Sequence, residues 1–300
     1  MTRIAIEKRL QHLKKNRRNI INGLLWLAPS LIGMTIFYII PYIQIVYYSL
    51  IDNPVQRNFV FLDNFIDLLG NHSFRTGATN TLVFSVIAVP LAVILSLLIA
   101  LMLEARIPFK SYFRTFFLSP LMVPVASVVL IWQVLFHNSG AVNELTMALG
   151  FDRIDWMQSA YSPIVVIILF LWRNLGFFMI LFMAALNNIP RELLETADVE
   201  GAGPFTKLFA IKMRYLSPTL LFVTILALIN SFRIFREVHL LTGNIPYGRL
   251  YMIQHFMNNI FHNLNYQRLA AAAVVMTIIM VIIIAVLFVV ENRFGRDVEE

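Results

Sequence analysis

Apolar residues in this chain neither alternate nor form narrow helical stripes; they come in long runs separated by polar segments. Crossing a bilayer by helix takes about 20 predominantly apolar residues. Six runs meet that length: 22–50, 77–103, 112–136, 161–186, 216–236 and 267–290. The pattern predicts an all-α integral membrane protein with six transmembrane helices. Prolines within these runs do not argue against span assignments, because membrane helices accommodate them, and Pro41 predicts a kink or an outer boundary. The organisation read from the pattern is a basic tail over 1–19, a membrane domain over 20–290 and a charged tail over 291–300.

Composition agrees. Of 300 residues, 59% are hydrophobic and only 14% charged, where a soluble domain carries roughly a quarter charged residues. The chain has no cysteine, which excludes disulfides, thiolate catalysis and cysteine-ligated metals. A net charge of +7 raises the question of nucleic acid, but in a membrane protein basic residues fix orientation instead. Seven Lys and Arg lie in the first 19 residues, three at Arg106, Lys110 and Arg114, and four between residues 187 and 214. All these fall on one side of a six-span topology, whereas the other side holds Arg57, Arg75, Arg153, Arg249 and Arg268. This bias predicts cytoplasmic N and C termini and a cytoplasmic 187–214 segment. The basic start suggests a signal peptide, yet the apolar run after it is too long for one, so it reads as a retained first span. The basic tail itself reads as solvated or facing lipid headgroups rather than nucleic acid.

The polar segment between the fourth and fifth runs, 187–214, predicts an elbow of two short helices joined by a tight turn. Pro190 suits the first helical turn, and Glu192, Glu195 and Asp198 complement the positive helix start. Gly201 and Gly203 end the first helix. Pro204 opens the second, with Phe205, Leu208 and Phe209 on one face and Lys207, Lys212 and Arg214 elsewhere. Taken alone, such an elbow is equally a connector or a docking element.

Catalytic patterns are missing. No glycine is followed by lysine, so no phosphate-binding G-x-x-x-x-G-K-[ST] loop exists. H-E-x-x-H and G-x-S-x-G are also absent, and the six histidines are scattered. The expectation is no enzyme site, no metal site and no cofactor in this chain. Polar residues inside spans are costly and mark bundle interiors or aqueous paths. The candidates are Trp172, Arg173, Asn174, Asn230 and Arg233. Arg173 sits about 15–18 Å deep, too far to snorkel comfortably. It either pairs with an acid or lines a polar cavity, the cavity being the preferred reading; Arg233 and Arg236 read more simply as snorkelling. Trp172 with Phe177 and Phe178 offers aromatic faces suited to sugar rings, though such a run also serves plain packing.

The elbow resembles the cytoplasmic loop of permease subunits from bacterial binding-protein-dependent ABC importers. That family's pattern is Glu-Ala-Ala, three residues, Gly, nine residues, Ile-x-Leu-Pro. Here it stands as Glu195-Thr196-Ala197, Gly201, and Ile211-Lys212-Met213-Arg214, with Thr196, Glu200 and Met213-Arg214 departing from it. The resemblance extends over nearly the whole chain and is greatest to the sugar importers, on the side of the maltose-type first permease. It rests on Leu62-Asp63-Asn64-Phe65, Asn80-Thr81, Gly140-Ala141-Val142-Asn143, Trp172 with Gly176-Phe177, Ile189-Pro190 and Thr242-Gly243-Asn244-Ile245-Pro246. It implies a type I ABC importer permease fold in the bacterial cytoplasmic membrane. The implied partners are a second permease subunit, two cytoplasmic ATPase subunits that carry ATP and Mg, an extracytoplasmic substrate-binding protein and membrane lipid. Pro190, Glu195, Ala197 and Gly201 are the implied ATPase-docking residues. The implied function is import of a sugar or oligosaccharide. A non-sugar or anionic solute, or a secondary transporter, are the alternatives; the near-absence of acids within the spans counts against ion coupling.

Overall fold

A computed structural model describes residues 23, 25–104 and 109–294. The expected 1–19 tail, Arg106 and the last residues of the C-terminal tail lie outside the described residues. Two compact units emerge, one holding residues up to Ile66 with Tyr266–Val274, the other Asp67–Asn265 with residues from Val275 onward.

The first unit carries α1 (Leu25–Ser49), whose apolar side chains stay largely exposed, as befits a lipid-facing helix. A π-helical turn at Thr35–Ile39 precedes Pro41, and the Ile40 N–H bonds back five residues to Thr35. Pro41 lacks an N–H and its ring crowds the preceding turn, so the helix widens there rather than ending. Asn64 then donates to the carbonyls of Ser49 and Ile51, closing the end of α1. The Leu62-Asp63-Asn64-Phe65 motif thus enters α2 (Asp63–Gly70) within a stretch expected to be loop.

The second unit is built on α3 (His72–Glu104), α7 (Ser162–Asn187) and α9 (Pro204–Thr242). Phe84, Ala88, Phe170, Phe178, Phe182, Val223 and Ala227 form its core, with Phe84 and Phe170 edge to face at 5.6 Å. Alanine, glycine and serine at the helix contacts let backbones approach closely, which is how helices associate in lipid. Gly176 is the extreme case: a Cβ there would lie 1.8 Å from the Phe117 carbonyl oxygen.

The expected third span departs most from prediction. Instead of one helix over 112–136, there are α4 (Lys110–Met122) and α5 (Val125–Leu135), bent by 100°. Pro124 drives Val123 into an extended conformation (φ −81°, ψ 129°) and removes a donor, which breaks the helix. Among the described residues, five helices are long and apolar enough to cross a membrane, or six if this bent pair is one span. The expected loop 137–160 contains α6 (Ala141–Ala148), and α10 (Ile253–His262) precedes the last helix, α11 (Tyr266–Phe294).

The elbow also differs from expectation. Its first helix, α8 (Arg191–Val199), starts after Pro190 rather than with it. Its second helix is not separate: α9 runs from Pro204 through a π-helical turn at Lys207–Lys212 directly into the fifth span. No glycine or proline interrupts 205–217, so the helix has no reason to stop.

Candidate functional site

Two regions gather the residues singled out by sequence. The first is the elbow. At the end of α8, Ala202 N–H bonds to the Ala197 carbonyl at 2.8 Å and Gly201 N–H to the Asp198 carbonyl at 3.1 Å. This pair is the Schellman arrangement, with Gly201 as its left-handed residue (φ +77°). Gly203 does not share that role; it is extended and caps the start of α9. Ala197 faces inward and is buried, whereas Pro190 and Glu195 are exposed. Val199, Phe205 and Phe209 expose apolar side chains around the turn, Val199 being 90% accessible. Lys207 pairs with Asp198 across the elbow. At the far end of the π-turn Lys212 reaches Glu104, at the end of α3, at 2.6 Å. A polar hairpin is therefore held by both α8 and the bundle, with an apolar surface facing outward.

The second region lies where α7 passes the C-terminal half of α9. Asn230 Nδ2 donates to Asn174 Oδ1 at 2.9 Å, while Asn174 Nδ2 donates to the Phe170 carbonyl at 2.8 Å. Arg173 donates to Glu237 Oε1 at 2.6 Å, and Arg236 lies 3.6 Å from the same oxygen. The preferred cavity reading of Arg173 gives way to its alternative: it is paired, because a guanidinium and a carboxylate taken out of water need each other. Glu237 is the buried partner. A mid-span arginine opposite so few span acids was the signal pointing to it. Trp172 stacks toward Trp132 with centroids 5.0 Å apart, and Phe178 is wholly buried in the core. Arg233 is exposed. Sequence reasoning missed Ser85 and Ser231, whose hydroxyls meet at 2.8 Å between α3 and α9.

Motifs read as family marks turn out to carry local structure. Asn80 donates to the carbonyls of Gly248 and Tyr251 at 2.7 and 3.0 Å, and the Thr81 hydroxyl accepts the Ile253 N–H at 3.0 Å. Buried Asn143 bonds Asn138, Ile154 and the Trp156 indole, fixing the 137–160 loop. His255 is buried, and its Nδ1 accepts the Met252 N–H, so Nε2 carries the proton. Burial first, and then the nearby His239, push its pKa down from 6.5 to about 4. Among the described residues no group of acidic or histidine side chains is arranged to hold a metal ion.

The family model described as binding-protein-dependent transport system inner membrane component matches residues 69–300. The trehalose/maltose transport system permease protein of Thermococcus litoralis is 28% identical over 280 residues, 92% of this chain and 95% of that protein. The sulfoquinovosyl glycerol transport system permease protein of Agrobacterium fabrum is 30% identical over 232 residues, 75% of each chain. Among solved structures, a chain of a bacterial ABC transporter involved in the import of the acidic polysaccharide alginate superposes with a TM-score of 0.80. That alignment covers 94% of this chain and 99% of the other at 20% identity, a likeness of fold.

Proposed function

The chain belongs to the family of binding-protein-dependent transport system inner membrane components, and from that premise we propose what it carries and how it is driven. It forms, with a second permease subunit, the path for a sugar or oligosaccharide across the bacterial cytoplasmic membrane. Two separate cytoplasmic ATPase subunits, which bind ATP and Mg, drive it through the 190–214 elbow, and an extracytoplasmic binding protein delivers the solute. The names of the Thermococcus and Agrobacterium relatives favour a glycan as cargo.

One observation carries the docking assignment: α8 and the start of α9 present Val199, Phe205 and Phe209 to the outside on a hairpin tied to the bundle by Lys212 and Glu104. An apolar patch rimmed by charge on a membrane protein's polar loop marks a protein contact. Pro190, Glu195, Ala197 and Gly201 shape and border it, and Glu195 is one of the exposed acids at its rim. ATP binding closes the ATPase pair, the elbows move with it, and the spans turn as rigid bodies between inward- and outward-facing states. Nucleotide and solute shift these states only by binding them unequally. With the binding site for the solute in the spans, Trp172, Asn174, Asn230 and Arg233 border the path, and Arg173 braces them through its pair with Glu237.

The test is purification of the membrane complex with its ATPase. Glu195→Arg is expected to strip the ATPase and abolish solute-stimulated ATP hydrolysis while the permease pair stays assembled. A complex that keeps both ATPase and transport with Glu195→Arg overturns the docking assignment. Uptake driven by an ion gradient in vesicles holding this chain alone overturns the ATP-driven reading.

A further inference from the structure

The polar cluster on α9 holds more positive than negative charge, and the positions of these charges are informative. Glu237 is buried, with 7% of its side chain accessible, and its Oε1 is occupied by Arg173. Arg236 draws on the same oxygen from 3.6 Å. Arg233 stands three residues after Asn230 and four before Glu237, just ahead of a turn at Ile234, so in sequence it lies between the two cross-links to α7. Unlike Arg173, it is exposed, and it has no carboxylate or carbonyl partner among the described residues.

Its depth excludes the simple explanation. Asn174 lies twelve residues from Ser162, where α7 begins, or about 18 Å along the helix. Arg233 is one turn outward of Asn230, which bonds Asn174, and so remains roughly 13 Å inside that end. An unpaired guanidinium facing hydrocarbon at such depth costs several kcal/mol, and its residence there implies water or a counter-charge. The neighbouring carboxylate at i+4 gives its Oε1 to Arg173, and its buried Oε2 makes no hydrogen bond to Arg233. The amides of Asn174 and Asn230 are locked to each other and supply no charge.

We propose that Arg233 receives a negative charge on the transported solute, and that the path therefore favours anionic glycans, such as oligosaccharides bearing carboxylates, over neutral ones. This rests on the importer reading above and names the substrate class of the same site. Arginine suits the role because its planar fork takes a carboxylate through two parallel hydrogen bonds. The Arg173–Glu237 pair keeps the one nearby acid from neutralising the site.

The experiment uses the complete complex in proteoliposomes and compares uronate oligosaccharides with the same oligosaccharides after reduction of their carboxyl groups. Uptake and solute-stimulated ATP hydrolysis are expected to favour the uronates by about tenfold or more, the range of one charge-assisted hydrogen bond. Arg233→Gln is expected to erase that preference, and Arg233→Lys, which shows that the fold survives substitution, to retain part of it. Equal or better transport of the reduced sugars overturns the charge preference and leaves the importer reading intact. A preference unchanged in Arg233→Gln also overturns it, and is the result expected if an acid of the second permease subunit pairs with Arg233. Failure of both sugar classes to stimulate an ATPase that co-purifies overturns the glycan cargo along with it.

Discussion

Gly176 shows how little room single residues leave in this bundle. A Cβ at that position would sit 1.8 Å from a backbone oxygen of Phe117, and backbone cannot swing away as a side chain can. Gly176→Ala is therefore expected to cost at least about 1–3 kcal/mol, the usual range for overpacking, read as a lower thermal midpoint of the purified protein. His255 gives a pH-dependent counterpart. Its folded pKa of about 4 lies below the ordinary 6.5, so the unfolded chain binds the proton first as pH falls. Its contribution to stability is then complete above about 6.5 and lost progressively towards 4. A thermal-melt series is expected to fall more steeply through that window for the native protein than for His255→Gln; parallel curves would contradict the burial argument. Sequence marked Gly176 and Asn143 as motif members without showing what they do. The reason is that their partners, Phe117 for one and Ile154 and Trp156 for the other, are set by folding and not by spacing.

Elements were legible to different degrees. α1, α3, α7 and α11 follow from apolar runs, since only a helix satisfies its own backbone in lipid. The break between α4 and α5 did not follow from the run, because apolar residues continue on both sides of Pro124 and a proline alone does not separate a kink from a 100° bend. The continuity of the elbow into α9 was legible in the lack of any breaker between Phe205 and Ser217, but a charge-rich stretch suggested a separate helix. The Lys212–Glu104 pair, partly shielded with 20% and 26% of each side chain accessible, now ties that stretch to the end of α3. Lys212→Glu is expected to weaken coupling between ATP hydrolysis and uptake, and the exchange Glu104→Lys with Lys212→Glu to restore much of it. A cycle with no coupling energy, against the 0.5–3 kcal/mol usual for contacting residues, would show that the pair is incidental.

For the whole molecule, the division of labour follows from where charge is tolerated. Acids and bases crowd the elbow, whereas the spans admit a handful of polar groups concentrated between α7 and α9. The elbow was legible from sequence because its charge, prolines and glycines are local signals. The polar cluster was legible only as separate residues: Arg173 and Glu237 are 64 positions apart, and nothing but the fold joins them. Chemistry on this reading enters from outside, through the elbow, and the spans only shape a path. A photocrosslinking residue in place of Val199, the most exposed apolar side chain of the elbow, tests this most directly in intact cells. The captured chain, sequenced by mass spectrometry, is expected to carry a G-x-x-x-x-G-K-[ST] phosphate loop, and Glu195→Arg is expected to abolish the capture. Crosslinks confined to lipid, to permease chains or to an extracytoplasmic protein would contradict it.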